Sequence, residues 1–234
     1  MPTLDTIPFR VDLPQLFQTL HARPGSANAR ELEHLAAEAE VVARPRATYK
    51  IGFLDSSGDD YVVVDGLKFT SRVLRVNLQD THRVFAYVAT SGVELEAWAN
   101  EGDDDLLRRF CGEAINRMAV GAAAQALLKH LAETYGVATL STMNPGSLAD
   151  WPLAQQRVLF ALLGDTEATI GVTLTPSLLM VPTKTVSGIA FPTEESFASC
   201  QLCPREACPN RRAPYDAGLK ERKYGVQTAP GADH

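Results

Sequence analysis

The chain has 234 residues, 45% hydrophobic and 21% charged, with a formal net charge of −6. That length admits one large domain or two small ones, each able to bury a proper core. The acidic balance argues against nucleic acid as the main partner. No apolar run reaches the roughly 18 residues of a membrane span, and the N-terminus lacks the basic and apolar regions of a signal peptide. A cytoplasmic location with no membrane partner is expected.

In chain order, Pro14, Leu16, Phe17 and Leu20 mark a short opening helix that ends at Arg23-Pro24-Gly25. Ser26 or Asn28 can cap a second helix, which runs through Leu32, Leu35 and Ala36 to about Ala43. Residues 47–54 and 61–64 read as strands of a hairpin around the turn Ser57-Gly58-Asp59-Asp60. Residues 69–78 read as a short helix, and 83–90 as a strand closed by Ser91-Gly92. A long helix then starts at Asp103, Asp104 and Asp105, whose charges suit a helix N-terminus. Ile115, Met118, Ala119, Ala122 and Ala126 continue it at helical spacing to Tyr135, and Gly136 stops it.

Asn144-Pro145-Gly146-Ser147 reads as a turn, and 151–163 as a helix with Pro152 in its first turn. Residues 186–191 supply a last strand, and 228–234 a mobile tail. Strands and helices without regular βα alternation indicate an α+β fold. The expected architecture is a twisted, mainly antiparallel sheet flanked by helices, including one long central Ala-rich helix, plus a cysteine-rich C-terminal extension.

That extension carries Cys200, Cys203 and Cys208 in the pattern C-x2-C-x4-C, flanked by Pro204, Arg205, Pro209, Arg211 and Arg212. Two thiols three positions apart can converge on one metal, and neighbouring arginines favour thiolates. The pattern predicts an iron–sulfur cluster, of the 4Fe-4S kind, with three protein ligands. Cys111 is a candidate fourth ligand, although its default role is that of a small buried hydrophobe. Zinc, a disulfide with a spare thiol, and uncoordinated or redox-active thiols are the alternatives. No G-x-G-x-x-G after a strand, no P-loop and no H-E-x-x-H occurs, and His21, His34, His82 and His130 are scattered.

From Met143 onward the chain resembles the activation domain of cobalamin-dependent methionine synthase. The resemblance is carried by Asn144-Pro145-Gly146, the helix at 151–163 and Ile170-Gly171-Val172-Thr173-Leu174-Thr175-Pro176-Ser177. Met180-Val181-Pro182 and Ser187-Gly188 follow in the same order. Upstream, Val84 to Gly92 and the Ala-rich helix look like those of stand-alone members.

The resemblance divides the chain into an N-terminal helical segment at 1–45, an activation-like domain at 46–195 and a cysteine-rich metal-binding tail at 196–234. It implies S-adenosylmethionine held over the cobalamin of a partner protein, bordered by Asn144, Pro145, Gly146, Ser147, Ser177 and Met180. The family turn is R-x-x-P-G-Y; Thr142 stands at the arginine position and Ser147 at the tyrosine position. Joined to the cysteines, the resemblance implies reductive reactivation of a corrinoid protein. A low-potential electron would pass from ferredoxin or flavodoxin through the cluster to Co(II). The chain would then be a corrinoid-activating reductase or an accessory subunit of a methyltransferase. The alternative is an activation subunit of a split methionine synthase that binds S-adenosylmethionine and corrinoid, with only a structural metal site.

Overall fold

The computed structural model describes residues 1–101, 105–194, 196–208 and 211–225. Asp103 and Asp104 at the expected helix start, Pro209 and the tail at 228–234 lie outside the described residues. The elements are β1 (Thr3–Leu4), α1 (Leu13–Thr19), α2 (Ala27–Val42), β2 (Arg46–Ser57), β3 (Tyr61–Val64) and β4 (Leu67–Thr70). They continue with α3 (Arg72–Asn77), β5 (Arg83–Thr90), α4 (Val93–Ala99), α5 (Leu106–Tyr135) and β6 (Leu140–Met143). After a short 3-10 turn come α6 (Gln156–Leu163), α7 (Thr166–Ile170), β7 (Thr173–Leu174), β8 (Met180–Val181) and β9 (Thr185–Pro192). A second 3-10 turn at Ser199–Leu202 and α8 (Leu219–Tyr224) complete the described chain.

The fold is α+β, a curled antiparallel sheet flanked by helices, as the sequence predicts. Its strands run in the order β4-β3-β2-β5-β9-β6, with β1 paired to β2. The cysteine-rich extension is corrected. Residues 196–208 and 211–225 belong to the second of two compact units, and no clustered-thiol module forms among the described residues. The span 69–78 is also divided. Phe69 and Thr70 finish β4, and Ser71 breaks the strand by capping α3, its Oγ accepting from Leu74 N at 2.9 Å.

Two compact units are present. The first comprises Met1–Lys50, Tyr87–Thr134 and Leu163–Ser187. Its core joins Leu16, Leu32, Leu35, Leu95, Trp98, Cys111 and Ile115 from α1, α2, α4 and α5. Glu38 accepts from Trp98 Nε1 at 3.2 Å and from Arg108 at 2.9 Å, and the guanidinium lies 5.0 Å from the Trp98 ring centroid. The indole N–H and Arg108 together hold the Glu38 carboxyl below its usual range. Gly112 lets α5 meet α4: a Cβ there would collide with that of Ala99.

The second unit comprises Ile51–Ala86, Tyr135–Leu162 and Gly188–His234. β6 pairs antiparallel with β9, Leu140 opposite Pro192 and Met143 opposite Ile189. Trp151 is buried edge-on to Phe69, with ring centroids 6.5 Å apart. Asp150 ties this region to α3, accepting from Ser71 Oγ and, at 2.9 Å, from Val73 N. The C-terminal segment is fixed through buried Tyr224. Its hydroxyl donates to Asn77 Oδ1 at 2.9 Å, its carbonyl accepts from Arg72 Nε at 2.6 Å, and its ring packs edge-on to Phe197.

Burial pushes the Tyr224 phenol up to about 12, whereas an unfolded tyrosine ionises near about 10. The folded state therefore prefers the neutral phenol. This contribution is present below about pH 10 and is lost as pH rises toward about 12. In urea titrations, Tyr224→Phe should be weaker at neutral pH by about 0.5–1.5 kcal/mol. Its stability should then fall less steeply than that of the wild type above about pH 10, where one extra proton is worth at most about 1.4 kcal/mol per pH unit. Parallel slopes for the two proteins would remove the burial argument for this residue.

Candidate functional site

β6 ends at Met143, and the next four residues form the turn expected from sequence. Ser147 N and Oγ both donate to Asn144 O, at 3.1 and 2.6 Å, and Gly146 N donates to Trp151 O at 2.7 Å. Gly146 has φ +82°, so a side chain there would be strained as well as crowded against Leu153. The structure thus brings Asn144, Pro145, Gly146 and Ser147 together at one corner of the second unit, Asn144 and Pro145 half-buried and Gly146 and Ser147 exposed. Thr142, at the arginine position of the resemblance, is buried within β6, paired with Ala190 and bridged to Ala198. It presents a short side chain inside the sheet, with no cation.

Ser177 and Met180 belong to the first unit. They lie on the β7–β8 hairpin, where Met180 pairs with Leu174. Thr175 organises the loop: its Oγ1 lies 2.9 Å from Ser177 Oγ and accepts from Leu179 N at 3.0 Å. Leu178 adopts φ +69° within this loop. Ser177 is exposed and Met180 half-buried.

The cysteine segment starts beside the turn of the second unit. Phe197 N donates to Ser141 Oγ at 2.7 Å, and Ser199 Oγ is 3.3 Å from Ser147 Oγ. Cys200, Cys203 and Cys208 are all free and half-buried. Arg211 gathers their loop. Its guanidinium donates to the carbonyl oxygens of Cys200 at 3.2 Å, Cys203 at 3.3 Å and Ala213 at 3.3 Å, and to that of Arg205. Arg212 N donates to Cys200 Sγ at 3.4 Å. Burial opposes ionisation of Cys200, but the N–H groups of Arg212 and Ala213 and the Arg212 charge outweigh it, so the thiol sits below its ordinary range.

This geometry corrects the iron–sulfur reading. Among the described residues, no group of three or more His, Cys, Asp or Glu side chains is placed to hold a metal ion. The loop closes around a guanidinium that takes carbonyl oxygens, a different solution from thiolates converging on an ion. Cys111 is fully buried in the core of the first unit, and burial pushes its thiol up to about 12, away from the thiolate a ligand requires. The 4Fe-4S cofactor goes with this reading, and so does the electron path from ferredoxin or flavodoxin to Co(II). The same finding removes zinc from the alternative.

Sequence reasoning missed two clefts, one within each unit. In the first unit a cleft of about 380 Å³ is lined by Glu96, Phe110, Glu113, Asn116, Thr183 and Lys184 among others. Asn116 donates to Leu95 O and Gly112 O at 3.2 and 3.0 Å, which leaves its buried Oδ1 without a partner. A polar residue on the 112–116–119–123 stripe of an otherwise small and apolar helix face is the signal that could have found it. In the second unit a cleft of about 930 Å³ includes Asn77, Arg83, Tyr135 and Lys223, with Arg83 over the Phe85 and Tyr135 rings.

No family model and no curated protein matches the chain. Among solved structures it is similar to a crystal structure of the MetH reactivation domain bound to AdoHcy, at 17% identity and a TM-score of 0.55. The match covers 85% of this chain and 80% of that one. At that identity the likeness is one of fold. It agrees with the activation-domain resemblance, and nothing in it supports the added cluster motif. Among the described residues no helix is long and apolar enough to cross a membrane.

Arg211 satisfies several carbonyl oxygens that the ammonium of a lysine cannot reach together. Arg211→Lys should cost the loop about 1–3 kcal/mol. Native-state proteolysis between residues 200 and 213 should then quicken by about one to two decades, with little change in the thermal midpoint. Unchanged cleavage would show that the loop is held by something other than this guanidinium.

Proposed function

We propose that the chain is an activation-type binding module, which holds an S-adenosyl compound for a corrinoid-carrying methyltransferase partner. The observation that carries this reading is the shared fold, which spans 85% of the chain and matches a domain described with AdoHcy bound. The order of the Asn144-Pro145-Gly146 turn, the Thr173 to Ser177 segment and the Met180-Val181-Pro182 run supports it.

The proposed residues act by binding and placement. At the turn, the missing Cβ of Gly146 lets Leu153 pack against the corner, which fixes the backbone there. Its neighbours offer peptide N–H and C=O groups to a polar ligand. On the hairpin loop of the first unit, Thr175 and Ser177 offer hydroxyls, and Met180 an apolar, polarizable surface. The reacting groups belong to the ligand and to the partner's corrinoid, while the module supplies orientation.

Thr142 predicts the strength of binding. An S-adenosyl amino acid carries a carboxylate, for which an arginine offers two parallel charge-assisted hydrogen bonds. Thr142 cannot do this, and the Ser147 hydroxyl is already engaged by Asn144 O. The loss is worth roughly 1.5–3 kcal/mol, or about one to two decades of affinity.

Calorimetry with S-adenosylmethionine and AdoHcy should give dissociation constants well above the low micromolar range. The penalty should be the same for both, since both keep the carboxylate. Low micromolar binding would refute the argument from Thr142. A flat titration with both ligands, up to millimolar concentration, would overturn the binding reading itself.

A further inference from the structure

We propose that Cys200 is a nucleophilic thiol that exchanges with small disulfides, and that Cys203 is the thiol that resolves the mixed disulfide. The inference is independent of the ligand reading above. It assigns a role to the one sequence motif that the proposed function leaves unused.

Three features of the loop single out Cys200. Its sulfur accepts a backbone N–H, from Arg212 at 3.4 Å, a contact that favours negative charge on sulfur. The Arg212 side chain adds a cation beside it. The thiol is half-buried, so a small reagent can reach it, whereas Cys111 is sealed in a core. Among the described residues, no other cysteine sulfur accepts a backbone N–H.

Cys203 is placed to resolve. Its backbone N–H donates to Cys200 O at 3.3 Å, which closes an i to i+3 turn. Such a turn holds its end Cα atoms within about 7 Å, and a disulfide spans roughly 4.4–6.8 Å between Cα atoms. The Arg211 guanidinium binds the carbonyls of both Cys200 and Cys203, which fixes the backbone that carries the two thiols. Cys208 lies outside this turn. Its carbonyl accepts from Arg211 N at 3.2 Å.

The chemistry balances with a small disulfide as oxidant. The Cys200 thiolate attacks one sulfur of the reagent, whose S–S bond breaks, and one thiolate leaves. The Cys203 thiolate then attacks the Cys200 sulfur and expels the second thiolate. Two protein thiols lose two electrons and two protons, and one disulfide becomes two thiols.

The test uses the full reduced chain with oxidised glutathione, read by mass spectrometry and peptide mapping. Wild type should end with a Cys200–Cys203 disulfide and no retained glutathione. Cys203→Ser should retain glutathione on Cys200. Cys200→Ser should react at least about tenfold more slowly, and Cys208→Ser should behave as wild type. Limiting iodoacetamide on the unaltered chain, free of any folding effect of substitution, should label Cys200 first. Wild-type reactivity in Cys200→Ser, a disulfide that includes Cys208, or labelling that begins at Cys203 would each overturn the assignment.

Discussion

Burial of Tyr224 is the constraint on which the arrangement of the second unit rests. A tyrosine enters a protein interior at low cost only if its hydroxyl finds a partner. Here the partner is Asn77 at the end of α3, whose amide in turn donates to Met143 Sδ at 3.5 Å. Met143 is the last residue of β6, immediately before the turn at 144–147. Arg72, at the start of α3, takes the Tyr224 carbonyl. One side chain near the end of the described chain thus links α3, β6 and the candidate turn. Phe197 and Ala198 are held against β6, and Tyr224 against α3.

Within that frame the three cysteines occur in a loop organised by arginine. The spacing C-x2-C-x4-C states only that three thiols are near in sequence. Whether they share one centre depends on where the backbone carbonyls point and on what neutralises them. Arg211 supplies a planar cation with several donors, and the loop folds onto it. The arginines read from sequence as thiolate-stabilising neighbours divide their work. Arg211 binds carbonyl oxygens, and Arg212 supplies the donor to one sulfur. The result is one distinguished thiol in place of three equivalent ligands.

The candidate turn shows the same interplay. Pro145 and Gly146 form the corner that local rules predict, since Gly146 needs φ +82°. Ser147, however, uses its hydroxyl on Asn144 O and lies against Ser199. The turn is therefore braced by the segment that follows β9, and the position that departs from the family pattern has gained a structural role. Thr142 tells a similar story, a short buried side chain on a backbone paired with Ala190 and bridged to Ala198.

The amino-acid sequence by itself determined most elements and the fold class. Hydrophobic periodicity and local caps act over a few residues, so α2 with its cap at Ser26 or Asn28, the hairpin of β2 and β3, the strand β5 and the Ala-rich α5 are legible in the chain alone, and the structure selects Ser26. It did not distinguish β4 from α3, because Ser71 ends one and caps the other within a single apolar run. Tertiary structure alone decided that residues 196–225 belong to the second unit, that Arg211 sits among the carbonyls of the cysteine loop, and that Asn116 keeps an unpartnered oxygen inside the first unit. Each of these depends on groups brought together from distant parts of the chain, such as Tyr224 with Asn77, or on which carbonyls a folded loop turns inward. Spacing along a sequence fixes neither, because the free energy that selects them comes from burial and from hydrogen bonds formed only once the chain has closed.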